Sequence, residues 1–228
     1  MEKNFGLNEL QSLRLEILKA NGYDIRQAKA VVDFVVGEKA HDIPAQHILE
    51  DGVYIITKDG AVIPFIDEMQ PAPHDVEYVG IVQGKRSLAV ALTDVKGYAV
   101  TLTNNLDQTG ESRYYIDRYE ESVRNYDGEA NTQHLREIGL NPQIELKDGE
   151  YIPSLGELYI LCLNQYVINK ALKFVGGQPI VQDWYWSSTE HSAAYAWYSN
   201  LSNGGVYGDT KATGKGRVRA VSKFPTNI

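Results

Sequence analysis

The side chains that could take part in acid–base or metal chemistry are few and scattered along the sequence. Asp117, Glu120 and Glu121 could supply paired catalytic carboxylates, but three arginines in the same stretch favour a solvated, ion-paired segment. His41 and His47 are six residues apart, a spacing that does not place two ligands on one face of a helix. Neither group therefore predicts an active site or a metal site.

Cys162 is the single cysteine of the chain, which excludes an intrachain disulfide and a cysteine-based metal cluster. It lies among apolar residues of a predicted helix, and we interpret it as a small core residue rather than a nucleophile. No phosphate-binding loop and no nucleophile–histidine–acid motif is found. We therefore expect no catalytic residue, no metal and no cofactor. The alternative is an enzyme in which Asp183, Glu190 and His191 line a deep polar cleft with perturbed pKa values.

The composition of this 228-residue chain is that of a globular protein, with 43% hydrophobic residues and a net charge of −8. The acidic balance disfavours nucleic acid and anionic membranes as partners. The N-terminal residues show no signal peptide, and no apolar run approaches the ~20 residues of a membrane span. We expect synthesis in the cytoplasm without a signal peptide, no membrane insertion, and association with a virion or cell surface by another route.

Hydrophobic spacing divides the chain into three regions. Residues 1–50 are predicted to form a small helical region whose apolar faces allow self-association or docking onto a larger assembly. Residues 51–75 are predicted to form a β-hairpin around Asp59 and Gly60, followed by a linker. Residues 76–228 are predicted to form the main domain.

Within the main domain, three β-like runs follow residue 78: YVGIVQ, SLAVAL and YAVTLT. A short helix is predicted over residues 131–138, with Asn131 as its N-cap. A longer helix is predicted to begin at Ser154, which forms a capping box with Glu157, and to continue to Gly176. Strands followed by helices and further strands indicate an α+β fold.

The C-terminal segment 184–221 has three parts. It opens on a rigid aromatic stretch at residues 184–190 and closes on an alternating basic strand at residues 217–221, whose arginines face solvent or a buried ion pair. The middle, residues 191–214, is predicted to be turn-prone. Tyr, Ser, Gly, Asn and Ala dominate residues 191–210, as they do in antibody-like binding surfaces, although a turn-rich loop uses the same small residues. The same window contains no Lys, Glu, Gln or Met.

Four motifs in this order and spacing resemble the variable proteins of diversity-generating retroelements, in the subgroup similar to formylglycine-generating enzymes. They are IPSLGELYIL at 152–161, YWSSTE at 185–190, AWY at 196–198 and RVRAV at 217–221. The resemblance covers roughly residues 76–224. It implies a C-type-lectin-like α+β domain, preceded here by the helical region and the hairpin. In that family an error-prone reverse transcriptase randomises template adenines, so chosen C-terminal codons vary while a fixed framework holds the variable side chains at the surface.

The resemblance implies a division between variable and fixed positions. An Asn codon randomised at its adenines never gives Lys, Glu, Gln, Met or Trp, so Lys211 and Lys215 should be fixed or reflect a different template codon. The framework residues are expected to be Trp184, Trp186, Glu190, Trp197, Arg217 and Arg219. The hypervariable, ligand-binding surface is expected to comprise His191, Ala193, Ala194, Tyr195, Tyr198, Ser199, Leu201, Gly205, Tyr207, Gly208, Asp209 and Thr210.

Two classes of related protein are disfavoured by the same comparison. Formylglycine-generating enzymes act through cysteines, and this chain has only Cys162. In calcium-dependent lectins a polar residue comes after Glu-Pro or Gln-Pro, whereas here Ile180 comes after Gln178–Pro179. We therefore predict a non-catalytic receptor or adhesion protein, associated with a phage or a bacterial surface. Its expected partner is a protein or glycan on a cell surface. The remaining alternative is a structural phage or surface protein with no ligand.

Overall fold

The computed structural model describes residues 49–66, 72–104 and 115–225. These residues belong to one compact unit that begins at His47. The predicted helical region at residues 1–50 lies outside the described residues, apart from Leu49 and Glu50. The described part combines helices with two antiparallel sheets, which confirms the α+β class in its general form.

The larger sheet has six strands in the order β2-β1-β3-β4-β9-β5, and all of its pairings are antiparallel. Its strands are β1 (Gly52–Thr57), β2 (Val62–Pro64), β3 (Val76–Gln83), β4 (Arg86–Ala91), β5 (Glu150–Tyr151) and β9 (Val221–Ser222). Because β9 comes from the end of the chain and inserts between β4 and β5, this sheet anchors the segment that follows residue 217.

The predicted hairpin is present as β1 and β2. Its turn contains Gly60 at a φ of 87°, a left-handed conformation that glycine adopts without the steric cost of a Cβ atom. Pro64 lies on β2 at the edge of the sheet, as the missing N–H of proline predicts. The hairpin does not stand apart from the main domain, because β1 pairs along its length with β3.

Two of the three predicted β-like runs after residue 78 are strands β3 and β4. The third, residues 98–103, makes only isolated bridges, from Val100 to Gly216 and from Thr103 to Leu140. Leu102 and Thr103 both direct their N–H groups to the carbonyl of Lys211. The Lys211 carbonyl, shared by two donors, holds residues 98–103 in place, but this bonding does not continue as a strand ladder.

Four helices are described: α1 (Tyr119–Ser122), α2 (Gly128–Ile138), α3 (Leu155–Leu163) and α4 (Gln165–Phe174). The capping box of Ser154 and Glu157 is confirmed at the start of α3. The single helix predicted to reach Gly176 is instead two helices, which meet at Asn164. The prediction that Asn131 caps α2 is wrong, because α2 starts three residues earlier and the Asn131 amide is buried against Asn125.

Three groups of buried apolar side chains hold these elements together. One fills the space between the six-stranded sheet and helices α3 and α4, and a second covers the opposite face of that sheet. The third surrounds Trp186 and includes Val218 and Leu135. Trp186 comes from the C-terminal strands, so these strands are packed onto the core rather than appended to it. No helix among the described residues is long and apolar enough to cross a membrane.

The carboxyl group of Glu157 is buried at the start of α3. It accepts hydrogen bonds from the backbone N–H of Ser154 (2.7 Å), the Ser154 hydroxyl (3.0 Å) and the Tyr151 hydroxyl (3.3 Å). Burial outweighs these bonds and raises the pKa of Glu157 to about 7. Between pH values of about 4.5 and 7, the native protein therefore keeps a proton on Glu157. The unfolded chain, in which this glutamate has its ordinary pKa, has already released that proton.

Glu157 should make the protein less stable as the pH rises from about 4.5 to 7. Because its pKa is raised in the native state, Glu157 contributes up to about 3 kcal/mol to the free energy of unfolding at low pH. This contribution is lost as the pH rises through the native pKa. We expect the stability of the Glu157→Gln variant, which cannot titrate, to gain about 2 kcal/mol on that of the wild type between pH 5 and pH 7.5 in urea unfolding. A constant difference between the two proteins across that range would contradict the assignment.

Candidate functional site

Strands β6 (Trp184–Glu190), β7 (Tyr195–Asn200) and β8 (Gly205–Thr210) form an antiparallel three-stranded sheet, called the C-terminal sheet below. Half of the turn-prone middle predicted for residues 191–214 is therefore strand. Small residues are common in turns, yet here they continue two ladders that join β7 to β6 and to β8. Only residues 191–194 and 201–204 serve as connections between these strands.

The register of the ladders distributes the side chains over two faces, because side chains alternate along a strand. Trp186 pairs with Tyr198 and Tyr198 pairs with Tyr207, so these three share the first face. Tyr195 and Trp197 alternate with Tyr198 and share the second face. The predicted binding residues thus form two patches that are separated by the thickness of the sheet.

The first face carries a row of aromatic rings. The ring centroids of Trp184 and Tyr198 are 4.3 Å apart in a stacked arrangement, and Trp186 lies 5.3 Å from Tyr198 on its other side. Tyr207 meets Trp184 edge to face at 5.6 Å and is 63% exposed. The row therefore runs from a fully buried tryptophan to a tyrosine in solvent, and aromatic contacts of this kind stiffen it.

The second face carries a smaller aromatic group. The His191 ring lies edge to face on Trp197 at 4.8 Å, and Tyr195 is 43% exposed beside it. The Trp197 indole N–H donates to the Ile116 carbonyl at 2.7 Å, which fixes the orientation of the ring. The Nδ1 atom of His191 is buried and has no hydrogen-bond partner among the described residues.

The predicted surface residues differ widely in exposure. Ala194, Tyr195, Tyr207 and Gly208 are exposed, and six others are partly buried: His191, Ala193, Tyr198, Gly205, Asp209 and Thr210. The structure corrects the remaining two, because Ser199 and Leu201 are each about 1% exposed. Ser199 pairs with the fully buried Tyr185, and Leu201 packs in the main core, so neither lies on a binding surface in this structure.

The tryptophans expected in the framework lie in the interior or at its margin. Trp186 is fully buried and its indole N–H donates to the Val100 carbonyl at 2.8 Å. Trp197 is 8% exposed, whereas Trp184 is only partly buried. Gly216 lies against the Trp186 ring so closely that a Cβ atom there would sit 2.9 Å from a ring carbon. The close approach explains why the chain has no side chain at this position.

Arg219 makes a buried ion pair, which was one of the two environments expected for the alternating arginines. Its Nε donates to Asp94 at 2.8 Å, and its other nitrogens donate to the carbonyls of Ala91 (2.9 Å) and Gln178 (3.1 Å). Both charged side chains are almost fully buried. The arginine therefore ties β4, the segment before β6 and the segment before β9 together.

Arg217 is partly exposed and joins two acids. It donates to Asp183 at 2.8 Å and to Asp94 at 3.2 Å. Burial would raise the pKa of Asp183, but the bonds from Arg217 and from the Trp184 N–H outweigh it and lower that pKa. The backbone of Arg217 also pairs with β6, since the Trp186 N–H donates to the Arg217 carbonyl.

A second buried ion pair lies at the other end of the C-terminal sheet. The Lys211 ammonium donates to one oxygen of Glu190, and His134 lies 3.2 Å from the other oxygen. Lys211 and Glu190 are 1% and 2% exposed. Burial lowers the pKa of Lys211, and the bond to Glu190 opposes that shift. The pair connects the end of β8 to the end of β6 and, through His134, to helix α2.

The residues of the enzyme alternative do not come together. Asp183 precedes β6 and Glu190 ends it, so about 20 Å of extended chain separates them. The carboxylate of Glu190 is occupied by Lys211 and His134, and Asp183 is bonded to Arg217. Two clefts, of about 430 Å³ and 270 Å³, lie elsewhere, beside Phe65 and Phe174 and beside Glu157 respectively. Within the described ranges, no three His, Cys, Asp or Glu side chains are placed to hold a metal ion.

Sequence reasoning did not identify Asp94 or His134, which hold these buried charges. Asp94 lies 125 residues before Arg219, and no local pattern connects the two. The only available signal was general: an arginine that alternates with apolar residues in a strand needs an acid if it is buried.

Comparison with known proteins gives the fold and little more. No protein-family model matches the chain, and no curated protein sequence matches it. The structure is similar to the crystal structure of a fimbrial protein from Bacteroides ovatus, with a TM-score of 0.56 and 16% sequence identity. The similarity covers 76% of this chain and 48% of the fimbrial protein, so the chain spans about half the length of that neighbour. The chain therefore has an α+β fold that is also found in a bacterial fimbrial protein.

Proposed function

We propose that the protein is a non-catalytic binding protein of the adhesion type, which recognises a cell-surface ligand through the C-terminal sheet. One observation carries the proposal. Tyr207 and Tyr195 are 63% and 43% exposed on a sheet that is anchored by the buried Trp186 and Trp197 and by the Glu190–Lys211 ion pair. Tyrosine gives a large contact area at low entropic cost, and a rigid support reduces the cost of ordering a binding surface.

The fimbrial neighbour supports a surface-associated role. Its description names a fimbrial protein, and the fold similarity covers most of this chain. Fimbriae are surface appendages, and an association of this protein with a bacterial or phage surface agrees with that likeness. Residues 1–50, which the sequence predicts to be helical, are proposed as the part that docks onto a larger assembly.

Diversification of the C-terminal sheet is part of the proposal. The four exposed predicted positions, Ala194, Tyr195, Tyr207 and Gly208, all carry residues that a randomised Asn codon can give. Residues that such a codon cannot give are buried at Glu190, Trp197 and Lys211. Lys215 is exposed after the turn that follows β8 and is proposed to be fixed or to reflect a different template codon. This distribution supports a C-type-lectin-like variable protein, in which exposed side chains vary on a constant framework.

Removing the exposed tyrosine of the binding face should weaken ligand binding. We expect Tyr207→Ala or Tyr195→Ala to lower affinity at least tenfold, about 1.4 kcal/mol or more, if that side chain anchors the ligand. Fluorescent tetramers of the full chain would be applied to a printed glycan array and to a display library of cell-surface protein domains. Because the two tyrosines lie on opposite faces, the more sensitive variant also identifies the binding face.

Tyr166 on α4 provides a matched control, because it is an exposed tyrosine (72%) outside the C-terminal sheet. We expect Tyr166→Ala to bind as the wild type does. Equal losses in all three variants, or full retention by both sheet variants, would show that the C-terminal sheet is not the binding surface.

A further inference from the structure

The strand edges in the described part of the chain are protected to different degrees. In the larger sheet, β2 has only three residues and contains Pro64, and β5 has only two residues. In the C-terminal sheet, β6 is covered, because the Trp186 N–H donates to the Arg217 carbonyl and the Arg217 N–H donates to Trp184. β8 has six residues, no proline and no lysine. It is therefore the longest open edge of either sheet.

The ladder determines which backbone groups face outward from β8. The Lys211 N–H donates to Ala194 on the β7 side, and antiparallel bonding alternates, so Val206 and Gly208 direct their N–H and C=O groups away from β7. Thr210 also faces outward, but its carbonyl accepts from Gly214 at 2.8 Å. Among the described residues, no hydrogen bond reaches the backbone of Val206 or Gly208.

An extended polypeptide is the ligand that fits this edge. Two outward donor–acceptor pairs, two residues apart, match the spacing of another β-strand. Gly208 has no side chain to obstruct a neighbour, and Tyr207 offers an exposed ring beside the edge. Asp209 shares the face of Tyr207; one oxygen of its carboxylate accepts from the Thr210 N–H at 2.7 Å, and its negative charge favours a basic residue on the added strand.

We propose that the protein binds its ligand by strand addition: an extended, basic segment of a partner protein pairs with the open edge of β8. This inference rests on the proposed binding function and names its ligand class. Main-chain bonds would supply affinity that does not depend on which side chains β8 carries. The side chains at positions 207 and 209 would then set specificity, so the same edge tolerates variation.

The test compares two substitutions at Gly208. A phage library of random dodecapeptides would be panned on the immobilised full chain, and the selected peptides made in soluble form. Gly208→Pro removes an outward N–H that has no partner among the described residues, and we expect it to lower peptide affinity at least tenfold. Gly208→Ala keeps the N–H, and its Cβ would lie no closer than 3.8 Å to His191, so we expect wild-type affinity.

Hydrogen exchange gives a second, independent readout on the wild type. Bound peptide should slow exchange of the Val206 and Gly208 amides, with no comparable change at Val79 in the larger sheet. Circular dichroism and thermal unfolding of Gly208→Pro would verify that it folds.

Strand addition would be overturned if panning yields no peptide, or if the selected peptides bind Gly208→Pro and wild type equally. It would also be overturned if peptides bind without protecting the Val206 and Gly208 amides. Finally, a wild-type dimer in sedimentation that Gly208→Pro abolishes would overturn it. Glycan binding that is lost in Tyr207→Ala but kept in Gly208→Pro would also overturn it, while leaving the proposed binding function intact. Indifference of every ligand to Tyr207→Ala, Tyr195→Ala and Gly208→Pro would reject the binding function itself.

Discussion

Replacing Arg219 with alanine is expected to lower the free energy of unfolding by about 3–5 kcal/mol. The guanidinium is fully buried and supplies hydrogen bonds to Asp94 and to two backbone carbonyls. Its removal leaves a buried carboxylate without its closest partner, and that cost exceeds the value of the pair itself. Urea unfolding monitored by tryptophan fluorescence would measure the change.

Arg217 is the matched control for this experiment, because it binds the same aspartate but is partly exposed. We expect Arg217→Ala to cost less than half as much as Arg219→Ala, since water can solvate the groups it leaves behind. Equal costs at the two positions would show that burial does not govern this network.

Replacing Lys211 with alanine is expected to destabilise the protein by a similar amount, about 3–5 kcal/mol. Glu190 would then be left buried, with the His134 imidazole 3.2 Å from one of its oxygens. The double variant Lys211→Met with Glu190→Leu should recover most of the loss, because it removes both charges and fills the space with apolar atoms. A double-mutant cycle in urea, completed by the single variants Lys211→Met and Glu190→Leu, measures the coupling between the two positions.

The same cycle distinguishes an ion pair from simple packing. If the destabilisation of the double variant equals the sum of the destabilisations of the two single variants, Glu190 and Lys211 contribute independently. The ion pair would then not hold β8 to β6. If instead the coupling is large, the ion pair itself holds the end of β8 to the end of β6.

Features with local causes could be predicted from the sequence. The capping box at Ser154 depends on two side chains three residues apart, and the hairpin at Gly60 depends on a turn that favours left-handed glycine. Both are confirmed. The break at Asn164 was missed because the apolar spacing continues through it on the same face.

The arrangement of the candidate site depends on contacts that no local pattern contains. The composition of residues 191–210 is compatible with turns and with strands, and only pairing with the aromatic strand β6 selects strands. That pairing determines which side chains share a face, buries Ser199 and Leu201, and leaves the β8 edge open. Identification of buried partners such as Asp94 likewise requires the tertiary structure.

The central claim is that a fixed framework carries exchangeable exposed side chains. Sequencing of the few kilobases that flank the gene tests this claim most directly. The claim predicts a reverse-transcriptase gene and a near-copy of the 3′ coding end, with AAC or AAT where this chain has His191, Tyr195 or Tyr207. The near-copy should match the gene at the codons of Trp186, Glu190 and other buried framework residues. Absence of both the reverse transcriptase and the near-copy would contradict diversification, whatever the ligand proves to be.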